Sequence, residues 1–305
     1  MTIRFLQHNE IDKPRWDEML HQSVNGLIYA RSVYLDHLCP GWTALVSDDY
    51  RYVMPLTHKK KFGIGYLYQP PFCQQLGVFG RTSITPELMA TFIEEAKKQF
   101  SFAEIFLNYN NMVASSEGVL LHKNYMLYLG RNYEAIRNGY TNDLVKKNLQ
   151  RTHKFNLQYV VSVNIDLAVA TFHELYGSRT PHVTANDYDA LTALAKQLIA
   201  TGNALVREVK MPNGELLACG LFLKDQHRIY NIASSTLPNG RTFEANHFLF
   251  DQLIQEFAGT SLQLDFEGSD IPGIERFYQK FGSVNQPYYF LKWNELPWPA
   301  RLLKK

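Results

Sequence analysis

No run of about 20 apolar residues, the length a helix needs to cross a bilayer, occurs in this sequence. Its first ten residues, Met1 to Glu10, also lack the apolar core of a secretory signal. Both absences lead to the expectation of a cytoplasmic protein with no transmembrane segment. Cysteine is scarce: Cys39, Cys73 and Cys219 are odd in number, widely spaced and in no paired motif, which excludes a disulfide framework and reads as buried, reduced thiols. The ten histidines lack ligand spacing. His173-Glu174 is followed by Gly177 where a zinc-protease helix would carry its second histidine, so no metal is expected. Neither a Gly-x-Ser-x-Gly elbow nor a phosphate loop ending in Gly-Lys-Ser/Thr is present, which removes the usual sequence support for a serine hydrolase or a P-loop nucleotidase. An excess of one charge is missing too. With 31 basic and 29 acidic residues the formal charge is +2, so no bulk attraction to DNA is implied and any polyanion site must be a local patch.

What is present is enough apolar material for two cores, 46% of 305 residues. Periodicity and turn residues predict helices near Asp12 to Leu20 and Ala30 to Leu38, then strands at Trp42 to Val46 and Tyr52 to Thr57. Extended pieces follow near Tyr66 to Tyr68 and Leu76 to Phe79. Thr85 as cap, Pro86 at the first position and Glu87 in the first turn predict a helix to about Gln99. Strands are expected at Ala103 to Leu107 and Tyr125 to Leu129. The second half repeats this order: helices at Asp166 to Tyr176 and Asp187 to Ala200, a hairpin of Ala204 to Lys210 with Glu215 to Lys224 about Pro212-Asn213-Gly214, and a strand at Arg228 to Ser234. A helix near Phe243 to Phe257, a strand at Leu262 to Phe266, a short helix and a last strand at Tyr288 to Trp293 complete it. The recurrence predicts a duplicated α+β unit, each copy a mixed, mainly antiparallel sheet flanked by helices. The expected boundaries are 1–130 and 157–305, with a basic connecting helix over 131–156.

The segment from Asp265 to Gly282 carries the most chemistry. Leu262, Leu264 and Phe266 alternate with Gln263 and Asp265 as a half-buried strand does, Gly268 and Gly273 permit turns, and the following helix sets Ile274, Phe277, Tyr278 and Phe281 on one face. A phenol at Tyr278 beside a strand-end carboxylate at Glu267 would place an acid and a base in one cleft. The same two residues serve equally as a core aromatic and a turn cap.

The element order matches the GNAT acyltransferase fold, and two such units in tandem resemble the Fem-type aminoacyltransferases. Lys147-Asn148-Leu149-Gln150-Arg151-Thr152-His153-Lys154-Phe155-Asn156 resembles the basic inter-domain helix of that group, and Asp265 to Gly282 resembles its terminal Asp-x-x-Gly and Phe-x-x-x-Phe-Gly motif. Trp42 to Val46, Met54-Pro55-Leu56 and Tyr68 to Gly77 look like a bacterial branch of these proteins. The resemblance implies an N-acyltransferase that moves an acyl group from acyl-CoA or aminoacyl-tRNA to a small-molecule or peptide amine, with the donor on the C-terminal domain and the acceptor between the domains. It also implies that Tyr278, followed by Lys280, Phe281 and Gly282, protonates the departing CoA thiolate. Glu267 or Glu208 would take the amine's proton. No tightly bound cofactor is expected, with acyl-CoA as a co-substrate.

The turn that would meet a CoA pyrophosphate is Pro238-Asn239-Gly240-Arg241-Thr242-Phe243. Gly240, Arg241, Thr242 as helix cap, and Ser234 at the preceding strand end are the expected donor-binding residues, although Phe243, Glu244 and the missing glycines depart from the family's loop. An ordinary Asn-Gly turn is the alternative. Lys147, Arg151 and Lys154, at i, i+4 and i+7, form one basic helical face suited to a phosphate-rich partner such as charged tRNA, or simply a solvated face. Tyr68 and Gln69, in the aromatic stretch from Tyr66 to Phe72, are expected to line a saccharide or peptide groove, or to pack. The rival function is a non-catalytic binding protein of the same fold for a nucleotide-linked, glycan or peptide ligand.

Overall fold

The computed structural model describes residues 1–113, 118–268, 270–298 and 301. Ser269 of the motif and most of the tail beyond Trp298 lie outside the described residues. The chain forms two compact units, residues 1–122 with 287–305, and residues 123–286.

The strands, in chain order, begin with β1 (Ile3–Leu6), β2 (Thr43–Ser47), β3 (Tyr52–Leu56), β4 (His58–Lys61), β5 (Ile64–Tyr68), β6 (Phe79–Gly80), β7 (Phe102–Leu107) and β8 (Val119–His122). They continue with β9 (Tyr125–Tyr128), β10 (Gln158–Ser162), β11 (Ala204–Lys210), β12 (Leu216–Lys224), β13 (Arg228–Thr236), β14 (Gln263–Asp265), β15 (Val284–Asn285) and β16 (Tyr288–Asn294). The α-helices are α1 (Lys13–His21), α2 (Ser32–Leu38), α3 (Pro86–Gln99), α4 (Tyr133–Arg137), α5 (Gln150–Thr152), α6 (Ile165–Tyr176), α7 (Ala185–Ile199), α8 (Pro238–Thr242), α9 (Ala245–Phe257) and α10 (Pro272–Gln279).

The first unit holds two sheets, ordered β1-β2-β3-β6 and β4-β5-β7-β16-β8. The helix α3 starts as its sequence dictates, with the Thr85 hydroxyl accepting from the Leu88 N–H and Pro86 in the first turn. It buries Met89, Phe92 and Ala96 in a core with Leu45, Met54, Leu67, Ile105 and Trp293. Where β6 shortens to two residues, amide side chains replace strand pairing. Val78 N–H donates to Asn111 Oδ1 at 2.7 Å, and its carbonyl accepts from Asn25, Asn108 and Asn111 at 2.9, 3.0 and 2.8 Å. Gly77 has φ +92, and a Cβ there would sit 2.2 Å from Asn111 Oδ1, so only glycine admits the network.

The second unit is one seven-stranded sheet in the order β10-β11-β12-β13-β14-β9-β15, antiparallel except for the parallel pair β13 and β14. Val209, Ala218, Phe222, Ile229 and Leu264 turn to one face and pack with Leu249, Phe250 and Leu253 of α9 and Tyr278 and Phe281 after the turn. The helices α6 and α7 cover the other face of β11 to β13.

Two strands join sheets other than the sequential domains suggest. Tyr125–Tyr128, placed by the sequence in 1–130, pairs with β14 and β15 in the second unit, and Tyr288–Asn294, placed in 157–305, pairs with β7 and β8 in the first. The connecting segment 131–156 lies wholly inside the second unit. Strand periodicity reports which face is apolar and carries nothing about which distant edge the strand will join.

Candidate active site

The site is built where β13 and β14 part. Their parallel register covers only Arg228, Ile229 and Tyr230 against Gln263, Leu264 and Asp265, after which β13 continues six residues to Thr236 and β14 ends. A β-bulge at Ile232 bends β13 at the same place, because Leu221 opposes Ala233 while Phe222 opposes Asn231. A buried ion pair fixes the fork: Arg228 Nη1 lies 3.0 Å from Asp265 Oδ2, and Asn124 Nδ2 donates to the same oxygen at 3.3 Å. Burial pushes the Asp265 carboxyl up, and Arg228 opposes that shift. The other oxygen of Asp265 accepts the Glu267 N–H at 2.9 Å.

This hold sets the turn. Glu267 and Gly268 are both left-handed, at φ 62 and 47, and a Cβ on Gly268 would meet the Lys123 carbonyl oxygen at 2.2 Å. The turn leads into α10, whose buried residue is Tyr278. The tyrosine is 9% exposed, its ring 4.8 Å from that of Phe266. Burial raises its phenol pKa first, the nearby Glu267 carboxylate second, while a hydrogen bond from Asn231 works the other way. Burial also pushes the Glu267 carboxyl well above its ordinary value. The structure therefore brings Tyr278, Glu267 and Asn231 together beside the point where β13 and β14 part. Sequence patterning did not single out Asn231. A lone amide on the apolar face of a strand, between Ile229 and Ala233, is the signal that could have found it.

Glu208 is not part of this group. Arg207 reaches Glu256 of α9 at 2.5 Å and Val209 enters the core around α9, so Glu208 between them points to the opposite face. There it pairs with Lys210 at 2.5 Å and lies near Cys219, which bonds Thr171 of α6. The alternation of a single strand separates Glu208 from Tyr278 by the thickness of the sheet.

The expected donor turn is a helical turn, α8. Gly240 is buried, and a Cβ there would come 2.0 Å from the Leu217 carbonyl oxygen, so this glycine lets α8 lie against β12. Arg241 and Thr242 are both exposed at the helix end. Thr242 ends α8 and does not cap the next helix; that position belongs to Glu244, left-handed at φ 58. Ser234 lies half-buried in β13 opposite Gly220. A cavity of about 230 Å³ opens beside the start of α9, lined by Tyr176, Thr236, Arg241, Glu244, Ala245, Asn246, His247 and Phe277. Glu244 Oε2 accepts from His247 Nδ1 at 2.9 Å, and its other oxygen is 4.0 Å from Arg151. A protein carboxylate thus stands at the positive end of α9, where a pyrophosphate would have to go, and among the described residues the exposed Arg241 is the one lysine or arginine lining that cavity.

The basic helix runs as Leu144–Leu149 in π winding, α5, and a 3₁₀ turn His153–Phe155. Lys146, Lys147, Gln150, Arg151, Lys154 and Phe155 line an open depression of about 430 Å³. Asp143 takes up part of this charge, at 2.7 Å from Lys147 and 3.2 Å from Lys280. In the first unit, Gln69 is an internal staple: its Nε2 donates to the Cys73 carbonyl at 2.7 Å and its Oε1 accepts the Phe106 N–H at 3.0 Å. The Tyr68 hydroxyl donates to Cys39 Sγ at 3.7 Å, and Lys59 Nζ lies over its ring at 4.3 Å. Cys39, Cys73 and Cys219 are buried, unbridged thiols.

No protein-family model matches the chain, and no curated protein matches its sequence. Solved structures do. FemX superposes with a TM-score of 0.66 at 13% identity over 100% of both chains. The L-PGS structure from Bacillus licheniformis gives 0.54 at 12% identity over 96% of this chain and 95% of its own. A tandem GNAT protein from the clavulanic acid biosynthesis pathway gives 0.53 at 10% identity over 97% and 99%. No helix among the described residues is long and apolar enough to cross a membrane. At these identities the likeness is one of fold, and the chain has the tandem GNAT-like fold seen in FemX and its structural relatives.

Proposed function

We propose that this protein is an aminoacyl- or acyltransferase that moves the acyl group of an oxygen ester, of the kind that terminates charged tRNA, to an amine. The fork between β13 and β14 receives the donor, Tyr278 is the general acid and Glu267 the general base. The single observation that carries this reading is the buried phenol beside a raised carboxyl at the point where two parallel strands separate.

The chemistry balances without an external reagent. The amine nitrogen attacks the ester carbonyl carbon, the new C–N bond forms, and the C–O bond to the leaving alcohol breaks. Glu267 accepts the proton shed by the nitrogen, Tyr278 gives its phenolic proton to the departing alkoxide, and proton return from Glu267 to the phenolate restores both groups. A carboxyl raised by burial holds the proton it takes from the amine more tightly than an ordinary glutamate does.

A phenol held above its usual value of about 10 stays protonated near neutrality, as a general acid must. Glu244 at the start of α9 argues for an oxygen-ester donor over one carrying a CoA pyrophosphate. The basic depression at Lys147, Arg151 and Lys154 lies in the same unit and suits the phosphates of a tRNA acceptor end. The test offers matched donors to the purified protein, aminoacyl-tRNA and the corresponding acyl-CoA, with a panel of amines. Transfer from the oxygen ester alone is expected; comparable kcat/KM with acyl-CoA contradicts the reading.

The low exposure of Tyr278 favours one rival, a binding protein that keeps the fold without the reaction. It predicts thermal stabilisation by an acceptor with no transfer from either donor.

A further inference from the structure

The hairpin β4–β5 in the first unit is paired over Lys59↔Tyr66, Lys60↔Gly65 and Lys61↔Ile64, with Phe62 and Gly63 as its two-residue turn. Both turn residues are left-handed, at φ 51 and 81, as a type I′ turn requires. Glycine and asparagine accept that conformation readily; a phenylalanine takes it at a cost in backbone strain. Burial within the protein does not offset the cost, because Phe62 is 87% exposed, and Ile64 next to it is 36% exposed. The tip is thus held in a form that favours a polar residue, yet carries a large apolar one. Strain kept at an exposed aromatic is a sign of a partner outside the molecule.

The charge around the tip names the partner. Lys59, Lys60 and Lys61 are exposed and consecutive, and the stretch His58–Tyr68 contains no acidic residue. Among the described residues Lys60 and Lys61 make no ion pair. Strand alternation puts Lys59 and Lys61 on one face and Lys60 on the other, so the finger is basic all round behind an apolar end. A single-stranded nucleic acid is read by aromatic rings stacked on a flat sheet face, with cations along one groove. A ring at the very end of a hairpin, ringed by lysines, suits a surface entered end-on: an apolar layer beneath a sheet of negative charge.

We propose that the β4–β5 hairpin docks this protein on an anionic phospholipid bilayer, with Phe62 entering the headgroup boundary and the three lysines meeting lipid phosphates. This surface is independent of the transferase reading. Each lysine near such a surface adds roughly a factor of five to partitioning, and burying the Phe62 ring adds about ten-fold.

The test is co-sedimentation with vesicles of phosphatidylcholine alone and of phosphatidylcholine mixed with phosphatidylglycerol. The protein is expected to partition to the mixed vesicles only, and to release as salt rises. Phe62→Ala should weaken binding about ten-fold with an unchanged Tm, because the hairpin tip is exposed, and replacing all three lysines by alanine should weaken it roughly a hundred-fold. Phe62→Trp should blue-shift on adding mixed vesicles. No binding to mixed vesicles, equal binding to the neutral ones, indifference to both sets of variants, or binding to an RNA oligonucleotide in place of vesicles would each overturn the proposal.

Discussion

His247 shows how one side chain ties stability to the start of α9. It is 12% exposed, faces Glu244, Lys280 and Asp143, and burial lowers its pKa from 6.5 to about 4. The unfolded chain therefore binds a proton that the folded chain refuses between these two values. Stability is highest above pH 6.5 and falls as pH drops toward 4, by up to about 3 kcal/mol, since each tenfold weakening of proton affinity on folding is worth about 1.4 kcal/mol. Thermal melts from pH 7 to pH 4 should show this loss, and His247→Gln should flatten it. An equal slope in the two proteins would assign the acid sensitivity to other groups. At this scale the sequence was legible where chemistry is local. Tyr278 and Glu267 share one strand–turn–helix unit, and their meeting followed from the turn glycine at Gly268. The face of Glu208 was not legible, since it depends on which helix covers each side of the sheet. Asn231 lies on the Tyr278 side by simple alternation from Ile229, and the bulge at Ile232 turns only the residues after it, so that Ala233 opposes Leu221.

Elements positioned by close backbone approach give a prediction of definite sign. Gly240 lies inside α8 with φ outside the left-handed region, so helix propensity alone would make Gly240→Ala more stable by about 1 kcal/mol. The Leu217 carbonyl oxygen, 2.0 Å from the position the new Cβ would take, reverses the sign. Forcing α8 from β12 should destabilise the protein by about 2 kcal/mol, read as a lower denaturation midpoint. A stabilised variant would show that α8 is not held against β12. Helix starts with polar caps were legible, as Thr85-Pro86 demonstrates, while the start of α9 was not. Glu244 enters it from a left-handed conformation without a side-chain cap, so the chain offered no Ser, Thr or Asp to mark the boundary, and Thr242 drew the expectation instead. The hairpin at β4 was hidden likewise, its turn being Phe-Gly where Asn-Gly would have announced it.

Across the whole molecule, the tandem α+β plan was readable because the order of helices and strands recurs, and order survives where residues have diverged. The exchange of two strands was not. The chain passes from the first unit to the second after His122 and returns after Gln286, so β9 and β16 each complete a sheet begun elsewhere in the sequence. The first unit is discontinuous and the second, residues 123–286, is inserted within it, so functional tests belong on the full chain. The second unit alone contains the fork, the proposed acid and base, the basic depression and the Glu244 carboxylate at the start of α9, and the proposal reduces to one claim: that Tyr278 protonates a departing alkoxide. The most direct measurement is single-turnover transfer from an aminoacyl oxygen ester by the parent protein and Tyr278→Phe. The account predicts that loss of the hydroxyl slows the chemical step by roughly 100-fold or more, with donor affinity nearly unchanged; equal single-turnover rates would contradict it.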